Sequence, residues 1–430
     1  MGERINSYGP KVEVFRDIPK GIDPKRFDGA HVGYFHREYD GRANLWEIPG
    51  KKQGDVIAPT INLAGFRALG RATGTQMQID FGINEVYVMR DYRSYSEDVQ
   101  DAVMKGLLST GANVLDLGLG ITPEALYAYY HLTKQTAKNW AGVMVTASHN
   151  SNGWAGLKTI CGPSLSFGPF ELLKNEQILR DGRYLTGMGM YQTYDGMRES
   201  YLNDLAGRPL RAVKPLKIVV STFNGGAGKY LPEALLRAGH NVIEVNTELD
   251  WTFPNGNPNP EDYNSLKTLG RAVLKEEADL GVSTDGDGDR VGLVDEDGKE
   301  IYPDKAAMVI IDGILDKMKD PRVVIDLKST GAWERWDRFK SAGGEVVVVP
   351  TGHYYTKFGA KKFGLPHWFE RSGHFGLGDP YGYSYDDANL AALAFAYAVS
   401  KAGRPVSEIL AGFPVSYQSP NMQAATTDEA

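Results

Sequence analysis

The amino-acid sequence predicts an α/β protein with three consecutive α/β domains. Two observations lead to this prediction. From residue 86 onward, short runs of β-branched and aromatic residues alternate with segments of helical periodicity, and this alternation recurs in three stretches. The length of 430 residues and the hydrophobic content of 42% are enough for about three domains, each with its own core. Alternating strands and helices are typical of sheets covered by helices.

The first stretch predicts a βαβαβ unit. We expect Ser96 and Thr122 to be the N-caps of its two helices, because their hydroxyl oxygens can accept hydrogen bonds from free backbone N–H groups. We expect Gly111 to end the first of these helices. The predicted strands cover residues 86–89, 113–117 and 142–145.

The second and third stretches repeat this pattern. In each, a strand leads into a polar loop, and ligands of open α/β proteins bind at that end of the strands. We expect strands at residues 217–220, 242–245, 280–282, 323–327 and 346–349, and helices at 228–238, 266–275, 305–317 and 333–340.

The domain boundaries follow from these stretches. We predict domains at residues 1–193, 194–299 and 300–412, followed by a segment at 413–430. Residues 1–30 are rich in proline, glycine and charged residues, which predicts an extended arm. We therefore expect the chemistry to lie in the loops of the three domains.

Composition excludes several classes of protein. A net charge of −7 without long runs of one sign argues against nucleic-acid binding. The single cysteine, Cys161, excludes an internal disulfide and is typical of a reducing compartment. Residues 1–15 lack the apolar core of a signal peptide, and the apolar stretch at 390–399 is about half the length that a membrane span needs. We expect a cytoplasmic protein that binds neither membrane nor nucleic acid.

Three aspartates at alternate positions form the strongest motif, DGDGDR at residues 285–290. The intervening glycines, Gly286 and Gly288, allow the backbone to turn the three carboxylates toward one point. A cluster of oxygen ligands suits a hard divalent cation, and we expect Mg²⁺. A solvated acidic turn is the alternative, but an exposed turn rarely needs three charges that repel one another. The aspartates are Asp285, Asp287 and Asp289.

A calcium-binding helix–loop–helix site is another interpretation of this motif. Glu296 is the twelfth residue counted from Asp285, as such a loop requires. The sixth residue should be glycine but is Arg290, and predicted strands flank the motif. We therefore set the calcium interpretation aside.

A serine lies in the loop after the strand at 142–145, within the segment TASHN at residues 146–150. Ser148 has His149 beside it, and Lys158 follows ten residues later, where it can reach a phosphate. A hydroxyl near a divalent cation suits phosphoryl chemistry. A local backbone cap is the alternative role for such a serine. A Ser-His-Asp hydrolase is disfavoured, because the Gly-x-Ser-x-Gly turn is absent around Ser148.

The segment ERSGH at residues 370–374 combines a carboxylate, a hydroxyl and an imidazole. Glu370 and Ser372 alternate, so both side chains can face the hydroxyl groups of one sugar. A plain surface turn is the alternative. Lys328, His353 and Arg42, taken singly, are more often ordinary polar residues than ligands.

Together the motifs resemble a known family. The segments FHREYDGR (35–42), TASHN with Lys158, DGDGDR, PTGH (350–353) and ERSGH occur in the order and spacing of the α-D-phosphohexomutase superfamily. The chain is most similar to the phosphomannomutase/phosphoglucomutase branch, over roughly residues 35 to 420. This resemblance implies domains of similar topology with mixed sheets around a central cleft. It also implies an intramolecular phosphotransferase that interconverts hexose 1-phosphate and hexose 6-phosphate through a hexose 1,6-bisphosphate.

The resemblance also implies a role for each motif. Ser148 would carry a phosphoryl group, give it to a hexose phosphate and take another back. One Mg²⁺ per chain would be held by Ser148, Asp285, Asp287 and Asp289. Catalytic roles are implied for Ser148, Arg42, His149, Lys158 and His353, and substrate-binding roles for Arg290, Lys328, Thr351, Gly352, Glu370, Ser372 and His374. Hexose phosphates are the implied substrates, and hexose 1,6-bisphosphate is the implied activator.

The family has a fourth, carboxyl-terminal domain whose loop binds the phosphate that is not transferred. This sequence ends at Ala430, shortly after residues 417–420, which resemble the linker into that domain. We therefore expect a truncated fourth domain at residues 413–430. Either the sequence is a fragment, or a separate chain supplies the domain, or the activity is lost, reduced or changed. A catalytically silent relative that binds sugar phosphates and a metal-assisted phosphatase are the alternative functions.

Overall fold

The computed structural model describes residues 6–7, 41–45 and 61–417. The first domain contains a mixed sheet of eight strands in the order β1-β8-β4-β3-β5-β6-β2, with β7 paired to β6. Its strands are β1 (Asn6–Ser7), β2 (Gly41–Asn44), β3 (Glu85–Arg90), β4 (Asn113–Leu119), β5 (Trp140–Val145), β6 (Trp154–Gly162), β7 (Leu165–Ser166) and β8 (Tyr191–Thr193). Its helices are α1 (Leu63–Phe81), α2 (Ser96–Leu108), α3 (Thr122–Thr136) and α4 (Pro169–Asp181), and α5 (Met197–Ala206) leads into the next domain.

The second domain contains a five-stranded mixed sheet in the order β10-β9-β11-β12-β13. Strands β9, β10 and β11 are parallel, whereas β12 and β13 are antiparallel to their neighbours. The strands are β9 (Lys217–Ser221), β10 (Asn241–Glu244), β11 (Leu280–Thr284), β12 (Val291–Val294) and β13 (Glu300–Ile301). A 3₁₀ turn at Gly226–Lys229 precedes α6 (Leu231–Ala238), and α7 (Tyr263–Glu276) follows β10.

The third domain contains a four-stranded mixed sheet in the order β15-β14-β16-β17. Its strands are β14 (Val323–Asp326), β15 (Val346–Val349), β16 (Trp368–Phe369) and β17 (Phe375–Gly376). Its helices are α8 (Pro303–Ile314), α9 (Asp337–Ser341), α10 (His353–Phe363), α11 (Ala388–Ala402) and α12 (Val406–Ala411), with 3₁₀ turns at Leu315–Lys317 and Trp333–Arg335.

A shared core fixes the domains relative to one another. One continuous cluster of buried apolar side chains runs from Leu115 in β4 through Val220 in β9 to Ile325 in β14. The alanine-rich helix α11 contributes to this cluster, and a Cβ added at Gly313 of α8 would lie only 2.5 Å from Ala398 of α11. Such close packing leaves little freedom for the sheets to shift, so the loops at their edges keep a fixed geometry.

The prediction of three α/β domains with mixed sheets is confirmed. The boundaries after residues 193 and 299 stay predictions, as does the one after 412. Apart from residues 6–7, the predicted extended arm at 1–30 lies outside the described residues, as does the segment 418–430. Among the described residues, every helix is too short or too polar to cross a bilayer.

Both predicted N-caps of the first domain are wrong. Ser96 and Thr122 are the first residues of α2 and α3, and Tyr95 and Ile121 occupy the N-cap positions. The hydroxyl of Ser96 donates to Asp91 Oδ1, and Thr122 Oγ1 donates to Asp287 Oδ2 at 2.6 Å. Buried carboxylates are costly without hydrogen-bond donors, so these hydroxyls serve tertiary contacts.

Several predicted helix ends also differ from the structure. The predicted helix 305–317 begins at Pro303 and ends at Ile314, before a 3₁₀ turn. Helix α2 is capped at Ser109, before Gly111. The predicted helix 228–238 begins only at Leu231, where Pro232 suits a first turn that needs no amide N–H. The predicted helix 333–340 is divided at Trp336, whose backbone is extended, into a 3₁₀ turn and α9.

Candidate active site

The serine predicted as the nucleophile lies in the loop that follows β5. Ser148 has a left-handed backbone conformation with φ of 53°, which is uncommon for a residue other than glycine. Its N–H donates to Thr146 Oγ1 at 2.9 Å. Unfavourable backbone conformations persist only where the surroundings hold them, and they cluster at functional sites.

A buried arginine braces this loop from behind. Arg93 follows β3, and its Nη2 donates to the carbonyl oxygens of Ser148 at 2.9 Å and Asn150 at 2.7 Å. Its Nη1 donates to the carbonyl oxygen of Ser151 at 3.3 Å, and its Nε pairs with Asp91 Oδ2 at 3.2 Å. A planar guanidinium with five donors suits such a cluster of acceptors. Arg93 therefore fixes the backbone that presents the serine.

The aspartate loop connects β11 to β12 and lies directly against the serine loop. Ser148 Oγ donates to Asp285 Oδ2 at 3.0 Å. The backbone N–H groups of Asp289 and Arg290 donate to Asp285 Oδ1 at 3.1 and 3.2 Å. Gly288 has φ of 77°, which turns the loop back on itself. The two motifs predicted to cooperate are thus in hydrogen-bond contact.

The three aspartates fit a divalent cation. Their side chains are fully buried, and one oxygen from each lies within 4.8 Å of the others. Within the described part of the chain, Asp287 Oδ1 and Asp289 Oδ1 have no hydrogen-bond partner. Burial and the two neighbouring carboxylates raise the pKa of Asp285 well above its ordinary value. Buried carboxylates of this kind need a positive charge, and hard divalent cations prefer oxygen ligands.

Lys158, on β6, supplies part of that positive charge. Its Nζ lies 2.7 Å from Asp287 Oδ2 and also pairs with Asp289. Although burial lowers the pKa of Lys158, the two carboxylates raise it above its ordinary value. Burial likewise opposes ionisation of Asp287, but Lys158 and the hydroxyl of Thr122 hold its pKa below the ordinary value. Lys158 is therefore a protonated group beside the serine loop.

Arg42 and His149 lie at the edge of the same loop. Arg42, on β2, is opposite Gly156 of β6, and its Nη1 donates to the carbonyl oxygen of Ala147 at 3.5 Å. His149 Nδ1 lies 3.3 Å from Ser148 Oγ. Both predicted residues thus contact the serine loop.

The aspartate loop is joined to the predicted sugar loop of the third domain. Arg290 and His374 form an isolated antiparallel bridge, and the N–H of Val291 donates to the carbonyl oxygen of Gly373 at 3.1 Å. Gly373 has φ of 96°, and a Cβ there would lie 2.7 Å from the Val291 carbonyl oxygen. This glycine permits the close approach of the two loops.

Glu370 and Ser372 occupy the sugar loop with unused hydrogen-bonding capacity. Within the described residues, Glu370 Oε2 and Ser372 Oγ are buried and have no hydrogen-bond partner. Burial raises the pKa of Glu370 to about 7. Polar atoms that are buried without partners are costly, and a ligand hydroxyl can satisfy them.

The two histidines predicted from separate motifs lie side by side. The ring centres of His353, the first residue of α10, and His374 are 5.1 Å apart. His353 Nδ1 lies 3.6 Å and His374 Nδ1 3.2 Å from Asp386 Oδ2. Burial, together with the nearby Lys357 ammonium, lowers the pKa of His353 well below its ordinary value.

The remaining predicted residues surround Asp326 at the end of β14. Thr351 Oγ1 donates to Asp326 Oδ2 at 2.9 Å, and the N–H of Lys328 approaches the same oxygen at 3.4 Å. The side chain of Lys328 is exposed. Gly352 has φ of 132° and occupies the N-cap position of α10. The structure thus brings Thr351 and Lys328 together, but through their contacts to Asp326.

Family models match all three domains of the chain. The models describe the phosphoglucomutase/phosphomannomutase α/β/α domains I, II and III, which match residues 51–176, 199–298 and 302–417. A phosphomannomutase/phosphoglucomutase of Pseudomonas putida is 30% identical over 380 residues, which cover 87% of this chain and 78% of that protein. The chain belongs to the phosphoglucomutase/phosphomannomutase family. It is an enzyme of the isomerase class, an intramolecular phosphotransferase.

Other members of the phosphoglucomutase/phosphomannomutase family support this placement. A phosphoglucomutase of Neisseria meningitidis is 28% identical over 372 residues, covering 86% of this chain and 78% of that protein. The crystal structure of a phosphoglucomutase/phosphomannomutase family protein from Burkholderia thailandensis superimposes with a TM-score of 0.78 at 26% identity. That superposition covers 92% of this chain and 81% of the Burkholderia chain.

Sequence reasoning missed four residues of this family member's site. Asp91 and Arg93 brace the serine loop, Asp386 faces the histidines, and Lys357 contacts Asp386. Asp91 and Arg93 directly follow β3, so the position after a strand was a usable signal for them. Lys357 lies within α10, and its role depends on a tertiary contact that the local sequence does not indicate.

Proposed function

We propose that this chain is a Mg²⁺-dependent phosphohexomutase that interconverts hexose 1-phosphate and hexose 6-phosphate, with mannose or glucose as the sugar. The observation that carries the proposal is the 3.0 Å hydrogen bond from Ser148 Oγ to Asp285 Oδ2. It places a hydroxyl against a set of carboxylates that fits a divalent cation. The names of the relatives from Pseudomonas and Neisseria support mannose and glucose as the sugars.

Ser148 is the group that carries the phosphoryl between the two sugar positions. In the first transfer, the bond between phosphorus and Ser148 Oγ breaks, and a free hydroxyl of the hexose phosphate forms a new bond to phosphorus. The hydroxyl proton leaves to a base of the protein. The resulting hexose 1,6-bisphosphate turns over in the cleft. In the second transfer, the bond between the sugar oxygen and its other phosphoryl group breaks, Ser148 Oγ forms a bond to that phosphorus, and the sugar oxygen takes up a proton from the protein. The product leaves, and the phosphoserine is regenerated.

The charges around Ser148 suit this transfer. Phosphoryl transfer needs neutralisation of charge and alignment of the reacting oxygens more than covalent chemistry from the protein. Asp285, Asp287 and Asp289 would hold Mg²⁺, which would neutralise charge on the phosphoryl oxygens. Arg42 and Lys158 lie beside the serine loop and add fixed positive charge where negative charge develops.

Proton transfer and sugar recognition involve residues of the first and third domains. His353 and Lys158 are the candidates for moving the hydroxyl proton: the lowered pKa of the His353 imidazole favours the role of a base, and the ammonium of Lys158 can donate a proton to a sugar oxygen. Glu370 and Ser372 present buried polar atoms for sugar hydroxyls. A site built to satisfy hydroxyls discriminates strongly against ligands that lack them.

The test combines intact mass with a coupled mutase assay. The purified protein should carry one phosphate, and it should convert mannose 1-phosphate to mannose 6-phosphate when hexose 1,6-bisphosphate is added. Ser148→Ala should lose both the phosphate and the turnover. Ser151→Ala is the matched control, because Ser151 is an exposed serine of the same loop.

Three outcomes would overturn the proposal. Full activity of Ser148→Ala would exclude the phosphoserine route. Release of free phosphate faster than isomerisation would identify a phosphatase. Absence of phosphate and turnover, combined with a melting temperature raised by hexose phosphate, would identify a silent sugar-phosphate-binding relative.

A further inference from the structure

A segment of the second domain, residues 251–257, lies against the serine loop of the first domain. Asn257 Nδ2 donates to the carbonyl oxygen of His149 at 2.6 Å, although 108 residues separate the two in the chain. In the opposite direction, Asn152 Nδ2 donates to the carbonyl oxygen of Trp251 at 2.6 Å. Two side-chain amides, one from each domain, therefore join the serine loop to this segment.

The 251–257 segment lies between β10 and α7 and contains a tight turn. The N–H of Gly256 donates to the carbonyl oxygen of Phe253 at 3.2 Å, and Pro254 occupies the second position of this turn, where its fixed φ suits the backbone. The Phe253 ring packs against the guanidinium of Arg93, whose central carbon lies 5.3 Å from the ring centre. The segment therefore has a restricted backbone and contacts the arginine that braces the serine loop.

Asn257 and Arg93 together hold three successive carbonyl groups of the serine loop. Arg93 Nη2 donates to the carbonyl oxygens of Ser148 and Asn150, which flank His149 in the chain. The carbonyl oxygen of His149, between them, accepts from Asn257. Ser148 has a left-handed backbone, and such a conformation persists only where its surroundings hold it. Asn257 therefore completes a set of contacts that Arg93 begins.

The hydrogen bond from Asn257 acts next to the reacting hydroxyl. It fixes the peptide group between His149 and Asn150, and the His149 ring nitrogen Nδ1 lies 3.3 Å from Ser148 Oγ. The orientation of the Asn257 amide follows from this contact, because a carbonyl oxygen can only accept a hydrogen bond. Within the described residues, Asn257 Oδ1 has no hydrogen-bond partner, so truncation of the side chain removes the contact to His149 and no other side-chain hydrogen bond.

We infer that Asn257 is a positioning residue for Ser148. Through the carbonyl group of His149, it holds the serine loop in the geometry in which Ser148 Oγ faces Asp285. Because Asn257 belongs to the domain that carries the aspartate loop, this contact ties the serine loop to the metal-binding side of the site. The role rests on the proposed function and extends it to a segment outside the sequence motifs.

Asn257→Ala tests this role, with Asn255→Ala as the matched control. Asn255 lies in the same segment and also donates one amide hydrogen bond, but to Asn224 Oδ1 of its own domain. Asn257→Ala should lower kcat for mannose 1-phosphate by about 10- to 100-fold, because small displacements of reacting groups are costly, while KM changes by less than about threefold. Asn255→Ala should keep the wild-type kcat. Equal kcat in the two variants, or a loss confined to KM, would overturn the inference.

Amide hydrogen exchange separates this inference from the proposed function, because it needs no substrate. The N–H of Asn150 donates to the carbonyl oxygen of Ala147 at 3.1 Å, so its exchange rate reports the order of the serine loop. In peptides that span residues 146–152, Asn257→Ala should raise the exchange rate by at least about threefold, and Asn255→Ala should leave it unchanged. Absence of turnover in the wild type would refute the proposed function alone. Unchanged exchange in Asn257→Ala would contradict the role of Asn257, whatever the turnover.

Discussion

Ser148 Oγ donates a hydrogen bond to Asp285 Oδ2, although 137 residues separate them in the chain. The contact requires a glycine beside it, because a Cβ at Gly286 would lie 2.6 Å from the Ser148 carbonyl oxygen. The serine loop and the aspartate loop therefore meet backbone to backbone. The distance between hydroxyl and carboxylate depends on that close approach.

Gly286→Ala tests this contact. The added methyl group should push the two loops apart by a fraction of an ångström to about 1 Å, and we expect kcat to fall by up to about 100-fold. Steady-state kinetics with mannose 1-phosphate measures the effect. Gly162→Ala is the control, since a Cβ there meets nothing within 4 Å. Equal kcat in both variants would show that the approach of the loops does not matter for turnover.

Mg²⁺ should stabilise the protein through the aspartate loop. A ligand present at 100 times its Kd stabilises the folded state by about 2.7 kcal/mol, which raises the melting temperature. We expect Asp289→Asn to abolish that rise, because it removes one of three clustered carboxylates. Asp297→Asn alters an exposed aspartate of the same domain and should keep the rise. The same Mg²⁺ effect in both variants would place the cation elsewhere.

Arg93→Lys should loosen the serine loop. A lysine keeps the charge but cannot contact Ser148, Asn150 and Asp91 together, so we expect a loss of about 3 kcal/mol in the free energy of unfolding and a lower kcat. Arg90→Lys is the control, because Arg90 pairs with the exposed Glu97, and such pairs contribute at most about 1 kcal/mol. Chemical denaturation measures the free energy of unfolding, and steady-state kinetics measures kcat. Equal losses in Arg93→Lys and Arg90→Lys would show that the contacts of Arg93 with the serine loop are unimportant.

The sequence predicts those features of the structure that depend on short-range patterns of residues. The strand–helix alternation and the aspartate motif are local, so the fold class and the positions of the polar loops follow from them. The N-cap predictions at Ser96 and Thr122 fail because their hydroxyls bind Asp91 and Asp287, which the fold brings from elsewhere. The sequence likewise does not predict the site position of Asp386, because Asp386 faces His353 and His374 only where α10 and the sugar loop meet in the fold.

Glu124 should make stability depend on pH. Burial raises the pKa of Glu124 from its ordinary value of 4.5 to about 7, although the Tyr230 hydroxyl donates to it at 2.6 Å. Between these two pH values the unfolded chain releases the proton and the folded protein keeps it. The free energy of unfolding therefore falls as pH rises through this window, by about 3 kcal/mol, and this contribution is constant above pH 7.

Glu124→Gln removes this titration and keeps an acceptor for Tyr230. The unfolding free energy of the wild type minus that of the variant should therefore decrease by about 3 kcal/mol from pH 5 to pH 8. Asp387, whose pKa is also raised to about 7 by burial, titrates in both proteins and cancels in the difference. Urea denaturation at several pH values measures it, and Glu97→Gln, at an exposed position, should give a curve parallel to the wild type. A parallel curve for Glu124→Gln would mean that Glu124 ionises normally in the folded protein.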